Sequence, residues 1–466
     1  MKTCKKSNLK IAYIVHSADP MGGFPQHAEL AIRGLKELGH TVDFFLLKYG
    51  EHFREKSGDV RFLIKQGKHV NLERGCGTGL LYEPEAGWVE GFVGFKTKEQ
   101  KLRLKEKLEG YDAVFWHTPF WFKQKEILTD TDWPELLNLS NPVNIGMVHD
   151  ANLRGNSAWQ YHISKYFDRL ITVHPASYNS CSVLPVPRVM IFNPQDLSTV
   201  NFDKTNFDNI KKTGIIFSLQ NWKASKHVDD LIRAIPYLRD DTFVVLGGSG
   251  IEKRYMEAKF KPKDKYMVNR SSDPDCLEEN IGKQILPLAK STGRVEDVFW
   301  VNQQERDIIF GDTAFFIDTA WYKVNKTLGS HFSRTLIESI MHGIVPIARN
   351  LGLSNNEEGN GEVFQAGINY WMIPYDATPK QFAESINELM DISREKYDEI
   401  VHNNYELLSL FEYKYIAQEY ERLIRGEECG IYGGYETGEP TREFIAKADA
   451  QWFGTGDKKT FAFKHE

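Results

Sequence analysis

His149 and Asp150 form a pair of adjacent residues whose chemistry suits a reactive site. They follow the apolar run NPVNIGMV, which has the composition of a buried strand. At the carboxyl end of a strand in an α/β sheet, a histidine can donate a hydrogen bond to a hydroxyl group. An aspartate there can accept a proton or stabilise developing positive charge. The alternative is a structural histidine followed by a turn-forming aspartate.

A second set of polar residues lies in the segment SRTLIESIMHGIVPIA. Arg334 and Glu338 fall on the predicted helix of this segment, and Gly343 marks the turn from which the strand IVPIA starts. We expect the carboxylate of Glu338 to project into a ligand crevice and Arg334 to contact the same ligand. The alternative interpretation is that Glu338 is an ordinary acid on a helix surface.

Two glycines and two lysines occupy loops that precede predicted helices. Gly22 and Gly23 follow the first predicted strand, so backbone amides can approach a ligand there. Lys223 and Lys226 precede the helix VDDLIRA and are candidates for neutralising an anionic leaving group, the alternative being two solvated lysines. The sequence contains no P-loop and no acidic pair typical of a metal site, so we predict no obligatory metal.

The alternation of strands and helices predicts an α/β chain with two Rossmann-like domains that face each other across a cleft. Residues 1–193 form the first domain, with an insertion at about 50–110, and residues 194–394 repeat the strand–helix pattern as a second domain. Residues 395–466 are predicted to be a C-terminal helix and a tail that crosses back to the first domain.

Composition limits the classes of protein to which the chain can belong. Of the 466 residues, 41% are hydrophobic, which is enough for large buried cores and excludes a disordered or fibrous chain. The net charge of -6 offers no global attraction to nucleic acid or to an acidic membrane. No run approaches the roughly 18 to 20 apolar residues of a membrane span. The five cysteines are scattered, which fits a reducing cytoplasm.

These motifs together resemble the retaining, nucleotide-sugar-dependent glycosyltransferases of the GT-B fold. The resemblance implies a UDP-sugar donor as co-substrate and no cofactor, with Glu338 accepting hydrogen bonds from the nucleotide ribose. Lys226 matches the family lysine that stabilises the leaving diphosphate, and Gly22, Gly23 and Arg334 fall on the donor side. The chain departs from the family pattern at three positions, where a second acid, an arginine and a glycine are replaced by Ser330, Asn221 and His227.

A narrower resemblance comes from VHD at 148–150, IFNPQD at 191–196 and WKASKHVDDL at 222–231. This combination is similar to the bacteriophage DNA α-glucosyltransferases. Such an enzyme transfers a sugar to hydroxymethylated cytosine in double-stranded DNA, and it must bring the base out of the stack. The resemblance implies that His149 and Asp150 orient the sugar and the acceptor. We expect the sugar to be glucose or, because Ser330 replaces the second acid of the family, a pentose such as arabinose.

A basic segment supplies the candidate DNA contacts. Its cations alternate with the aromatic residues Tyr255, Phe260 and Tyr266. The candidate cations are Lys253, Arg254, Lys259, Lys261, Lys263 and Lys265. The alternative is a solvated, charge-rich insertion. A second aromatic group follows a first-domain strand and can line the acceptor side or belong to the core. It consists of Trp116, His117, Phe120, Trp121 and Phe122.

Two other functions stay open from the sequence. One is a glycosyltransferase that builds a surface polysaccharide or glycoconjugate with the same donor half. The other is a binding module for sugar nucleotides or DNA that has lost turnover, which the departures from the family pattern favour. The polysaccharide enzyme would associate with a membrane through a basic amphipathic helix of the first domain, and the sequence offers no convincing one. For the DNA-modifying enzyme we expect a monomer that binds no membrane, in the cytoplasm of the host cell if the chain is phage-encoded.

Overall fold

The computed structural model describes most of the chain as two compact units. The described ranges are 2–15, 23–48, 70–71, 78–83, 87–93, 98–120, 132–149, 157–220, 228–247, 295–297, 303–319, 322–324, 327–329, 333–349, 363–374, 376–431 and 435–453. The first unit combines Met1–Asp196 with Leu410–Glu466, and the second is Leu197–Ser409. Where the sequence suggests a boundary after residue 193 and a separate segment from 395, the structure changes unit at 196/197 and at 409/410.

The elements of Met1–Asp196 alternate between strands and helices. The strands are β1 (Lys10–Val15), β2 (Thr41–Lys48), β3 (Val70–Asn71), β4 (Thr78–Glu83), β5 (Gly87–Val93), β6 (Ala113–His117), β7 (Val143–Val148), β8 (Arg169–Thr172) and β9 (Pro187–Met190). The helices are α1 (Gly23–Glu37), α2 (Lys98–Leu108), α3 (Asp132–Leu137), α4 (Ser157–Ser164) and α5 (Pro175–Ser180).

The second unit and the C-terminal segment continue the series. The strands of the second unit are β10 (Ile215–Leu219), β11 (Phe243–Gly247), β12 (Val295–Asp297), β13 (Thr313–Asp318), β14 (Tyr322–Val324), β15 (Thr327–Gly329), β16 (Val345–Ala348) and β17 (Trp371–Met372). Its helices are α6 (Asn209–Lys212), α7 (Val228–Ala234), α8 (Gln303–Asp312), α9 (Arg334–Met341), α10 (Pro379–Leu389) and α11 (Arg394–Leu408). The C-terminal segment contains α12 (Tyr413–Arg425), β18 (Glu436–Thr437) and α13 (Arg442–Phe453).

The sheet of the first unit has a parallel centre. Its strand order is β18-β9-β8-β7-β6-β1-β2-β5-β4-β3, and every pairing from β9 to β5 is parallel. The described residues of β6, β7 and β8 are buried throughout, as expected for strands covered on both faces. Strands β3, β4 and β5 fall within the predicted insertion at 50–110 and extend this sheet beyond β2.

The sheet of the second unit repeats this plan on a smaller scale. Its order is β12-β11-β10-β13-β16-β17, and all five pairings are parallel. Strands β14 and β15 form a separate antiparallel pair. In each unit the strand that follows the first central strand pairs with it on one side, and a later strand pairs with it on the other side. The strand order therefore reverses between β1 and β6 and between β10 and β13, and we call these places the switch points.

Helix α12 packs on helix α1 at a glycine. A Cβ atom placed on Gly34 would lie 2.7 Å from Ala417 Cβ and 2.8 Å from the carbonyl oxygen of Tyr413. The guanidinium carbon of Arg33 on α1 also lies 4.0 Å from the centroid of the Tyr413 ring on α12, a cation–π contact. The absence of a side chain at residue 34 thus lets the C-terminal segment dock closely on the first unit. Among the helices of the described ranges, none has the length and apolar character needed to span a bilayer.

Replacing Gly34 by alanine is expected to destabilise the protein by about 1 to 3 kcal/mol, since the added methyl group forces α1 and α12 apart. The measurement is urea unfolding followed by circular dichroism. Gly311→Ala is the matched control, because a Cβ there would meet open space and φ is ordinary for a helix. The control is expected to be neutral or stabilising by about 0.5 to 1 kcal/mol. Equal stability of the two variants would contradict this account of the packing.

Candidate active site at the two switch points

Three buried histidines meet at the switch point of the first unit. His117 is the last residue of β6, His149 directly follows β7, and His27 lies one turn into α1. Their side chains are almost completely buried, with relative exposures of 0%, 6% and 1% respectively. Because ligands of open α/β sheets bind beyond the carboxyl ends of the strands at such a reversal, this cluster marks the candidate site of the unit.

The three imidazole rings pack directly against one another. The rings of His117 and His149 are nearly parallel, with an interplanar angle of 21° and centroids 4.4 Å apart. The ring of His27 stands almost perpendicular to both, and each centroid distance is 4.8 Å. One nitrogen from each histidine lies within 4.8 Å of the other two, a spacing that would also suit a shared metal ion.

Hydrogen bonds hold the cluster from several elements. The hydroxyl of Tyr13 on β1 lies 2.9 Å from Nδ1 of His117. His174 caps helix α5 by accepting the amide of Ser177 at Nδ1, so the ring proton is on Nε2 and is donated to the carbonyl oxygen of His149 at 2.8 Å. The main chain of His149 is therefore fixed by the start of helix α5.

The backbone next to the cluster is strained. Thr118 directly follows His117 and has φ of 55°, the left-handed region that a β-branched residue rarely adopts. Its amide donates to the carbonyl oxygen of Met147, and its hydroxyl donates to that of His117. Backbone strain of this kind is retained where the surrounding structure holds it, most often at functional sites.

The switch point of the second unit is bridged by the start of helix α9. Ser333 caps this helix by accepting the amide of Leu336, and its hydroxyl donates to the carboxylate of Asp318 at 2.6 Å. The hydroxyl of Thr335 donates to the carbonyl oxygen of Leu219 at 3.1 Å. Asp318 ends β13 and Leu219 ends β10, so α9 begins at the crevice between these two strands.

Arg334 and Glu338 form an ion pair on α9. Nε of Arg334 lies 2.9 Å from Oε1 of Glu338, and the glutamate is 5% exposed. The opposite face of the helix is apolar and contributes Leu336, Ile337 and Ile340 to the core. A carboxylate this deeply buried requires charge-assisted partners, and the pair meets that need one turn from the switch point.

The turn after α9 requires glycine. Gly343 has φ of 72°, and a Cβ there would collide with the carbonyl oxygen of Lys204 and lie 2.8 Å from the hydroxyl of Tyr405. The helix therefore ends at Met341 and is followed by His342, whose ring stacks on Phe310. This explains the HGIVP sequence and fixes where α9, and with it Glu338, lies relative to β16.

The structure places some of the predicted site residues and leaves others outside the described ranges. His149 lies in the histidine cluster, Gly23 is the first residue of α1, and Arg334 and Glu338 face each other on α9. Those that lie outside the described residues are Gly22, Asp150, Lys223, Lys226, Lys253, Arg254, Lys259, Lys261, Lys263 and Lys265.

The aromatic group after β6 divides between the core and the site. Trp116 is fully buried in the hydrophobic core, and its indole N–H donates to Asn144 Oδ1 at 2.8 Å. Phe120 belongs to the same core. His117 instead belongs to the histidine cluster, while Trp121 and Phe122 lie outside the described residues. The sequence allows these aromatic residues to line the acceptor side or to belong to the core, and the structure places Trp116 and Phe120 in the core.

Several residues of the site were not predicted from the sequence. His27 and His174 are absent from the predicted set, and so is Asp318 in the second unit. The sequence contains one local indication of the histidine cluster. Three neighbouring strands end in an apolar residue followed by histidine, in VFWH at 114–117, GMVH at 146–149 and ITVH at 171–174. Because these strands are parallel, the three histidines were bound to fall at one edge of the sheet.

Comparison with solved structures identifies the fold. The chain is similar to HepE from Anabaena, crystallised in complex with UDP and glucose, with a TM-score of 0.60 and 14% identity over 90% of this chain and 100% of that one. A glycosyltransferase from Rickettsia africae and the sucrose-phosphate synthase from Thermosynechococcus elongatus each give a TM-score of 0.58 at 14% identity. Both alignments cover 90% of this chain and 99% of the other.

The chain has the GT-B fold. This confirms the predicted fold class, since these neighbours are GT-B glycosyltransferases. No protein-family model matches the sequence, and no curated protein is significantly similar to it. At 14% identity the likeness concerns the fold, and the assignment of an activity therefore depends on the residues at the two switch points.

Glu338→Gln is expected to weaken UDP binding by about tenfold or more, because a buried charged acceptor is lost. Isothermal titration calorimetry with UDP measures the dissociation constant of each variant. The matched control is Glu384→Gln, which removes the acid of an exposed pair with Lys380 at the same spacing on α10. The control is expected to bind UDP like the parent protein. An unchanged affinity in Glu338→Gln would contradict the prediction that Glu338 contacts the nucleotide.

Proposed function

We propose that the chain is a retaining glycosyltransferase that uses a UDP-sugar as donor. The observation that carries this proposal is the buried Glu338 carboxylate, held by Arg334 on a helix that starts at the switch point of the second unit. The neighbouring HepE structures contain UDP or UDP-glucose, which supports a uridine nucleotide as the ligand. Glu338 would accept hydrogen bonds from the ribose, with Arg334 holding the carboxylate in place.

The proposed reaction replaces one bond at the anomeric carbon of the sugar. The acceptor oxygen forms a bond to this carbon on the face from which the nucleotide leaves, and the bond between the carbon and the diphosphate oxygen breaks. The proton of the acceptor hydroxyl passes to an oxygen of the departing UDP. Lys223 and Lys226 would stabilise the negative charge that develops on the diphosphate. Gly22 and Gly23 would let backbone amides approach the donor.

His149 and Asp150 are the proposed catalytic residues on the acceptor side. The imidazole of His149 would donate to a sugar hydroxyl, and Asp150 would orient the acceptor or stabilise positive charge on the sugar ring. The structure supports a special role for His149, because its ring packs on two other buried histidines and its main chain is held by His174. Such support keeps a reactive side chain in a single orientation.

The proposed acceptor is the hydroxymethyl group of a pyrimidine, 5-hydroxymethylcytosine above all, in double-stranded DNA. The support comes from the sequence, through the motifs at 148–150 and 191–196 and the basic segment at 253–265. A surface polysaccharide or glycoconjugate is the alternative acceptor. Its support is that a pneumococcal O-GlcNAc transferase in complex with UDP and GlcNAc has the same fold, at a TM-score of 0.52 and 10% identity.

Nucleoside mass spectrometry tests donor and acceptor together. The protein is incubated with a panel of UDP-sugars and with three duplexes that contain cytosine, 5-hydroxymethylcytosine or a glycosylated base. We expect a mass gain of one sugar on a modified duplex only. Consumption of a UDP-sugar without any gain on DNA would exclude these acceptors and favour a glycoconjugate. UDP binding without consumption would indicate a module that has lost turnover.

The basic segment provides a separate test of the DNA acceptor. Replacing Lys259, Lys261, Lys263 and Lys265 by alanine should lower the slope of log affinity against log salt concentration by about 3 to 4, because up to four phosphate contacts are removed. Fluorescence anisotropy with a labelled duplex measures the slope. A Lys211→Ala, Lys212→Ala variant is the control, since both lysines lie exposed on α6. An unchanged slope in the segment variant would exclude this region as the DNA contact.

A further inference from the structure

The C-terminal helix α12 reaches the histidine cluster through one tyrosine. The hydroxyl of Tyr420 lies 2.8 Å from Nε2 of His27, and Nδ1 of the same ring lies 2.8 Å from Oδ1 of Asn193. Tyr420 is fully buried, and its ring packs on Phe115 of β6 at a centroid distance of 5.3 Å. A residue from the C-terminal segment therefore joins the site formed by α1, β6 and β7.

These two hydrogen bonds select one state of the His27 ring. Oδ1 of Asn193 can only accept, so Nδ1 of His27 carries the ring proton and donates it. Nε2 of the neutral ring is then an acceptor, and it receives the proton of the Tyr420 hydroxyl, whose pKa is raised by burial. With both nitrogens engaged, the imidazole can neither flip nor turn without breaking a buried hydrogen bond.

The same geometry argues against a metal ion in this cluster. A metal ligand must direct a nitrogen lone pair at the ion, but both nitrogens of His27 already take part in hydrogen bonds. The rings of His117 and His149 are inclined by only 21° and stack at a centroid distance of 4.4 Å, so their lone pairs lie in separate, nearly parallel planes and cannot both point at one ion between the rings. The arrangement is better suited to packing, in which one fixed ring sets the orientation of the next.

We propose that Tyr420 and His27 are positioning residues for His149. Tyr420 holds His27 in one orientation, and the perpendicular ring of His27 at 4.8 Å limits where the imidazole of His149 can lie. The C-terminal segment is therefore part of the acceptor-side site and not only a structural support. This proposal rests on the proposed function, in which His149 contacts the donor sugar.

Tyr420→Phe removes only the hydroxyl that holds His27. We expect kcat for sugar transfer to fall by about tenfold, because a displaced catalytic group costs rate steeply. The affinity for UDP should stay the same, since the nucleotide contacts are proposed on the second unit. Tyr413→Phe is the matched control. Tyr413 lies two turns earlier on α12 and also bonds a residue of α1, but that residue is Glu37. The control should keep kcat within about twofold, its lost hydrogen bond affecting only stability.

A double-mutant cycle shows whether Tyr420 acts through His27. In a His27→Ala background, Tyr420→Phe should have no further effect on kcat, because the residue through which it acts is gone. His27→Gln should retain more activity than His27→Ala, since the amide oxygen of glutamine can accept from Tyr420. Additive losses of kcat in the double variant would indicate two independent structural effects and would overturn the proposal.

A measurement without turnover separates this proposal from the proposed function. With ¹⁵N-labelled histidine, the signals of His27 and His149 can be assigned from the His27→Gln and His149→Gln variants. Tyr420→Phe should shift both signals, and Tyr413→Phe should shift neither. If no UDP-sugar is consumed while the shifts occur, the proposed function fails and the positioning contact stands. If Tyr420→Phe leaves the His149 signal unchanged, the positioning contact fails whatever the activity.

Discussion

Burial of parallel strands on both faces is the constraint on which the rest of the structure depends. Strands such as β6 and β7 have no exposed face, so their interior positions accept apolar side chains and their polar groups collect at the ends. Parallel pairing brings all the carboxyl ends to one edge, and the reversal of strand order leaves a crevice there. The histidine cluster of the first unit and the α9 helix start of the second occupy equivalent places for this reason.

The sequence predicts the strands well and the C-terminal helices less well. Continuous apolar runs mark β1, β7, β10 and β13, because strands covered on both faces must be apolar throughout. The region at 395–425 resembles one helical segment, since it has no glycine or proline. In the structure this region is divided at Ser409–Phe411. The ring of Phe411 stacks on that of Phe192, with centroids 4.5 Å apart. The main chain of Gln195 donates to the carbonyl oxygen of Phe411 and accepts from the amide of Tyr413. Contacts with residues two hundred positions away end the helix, and no local pattern records them.

The candidate site shows the same division between local and distant signals. His149 and Glu338 were predicted because each follows or precedes a recognisable strand, and such positions can be recognised within ten residues. Tyr420 could not be predicted, because its partner His27 is 393 positions away and a tyrosine on an amphipathic helix is usually a core residue. Asp318 was missed because an acid at the end of a buried strand suggests a cap or a turn until its partner, Ser333, is known.

The division of the first unit into two stretches of sequence affects how the protein is made. During synthesis, Met1–Asp196 and then the whole second unit leave the ribosome before α12 does. Until then, the face of α1 that packs on α12 is exposed to solvent. During that interval Gly34 lacks its neighbour Ala417, and His27 lacks the hydroxyl of Tyr420. Helix α12 therefore completes the cluster around His149 only after the second unit has been synthesised, and a chain that ended before α12 would lack the Tyr420 hydroxyl that holds His27.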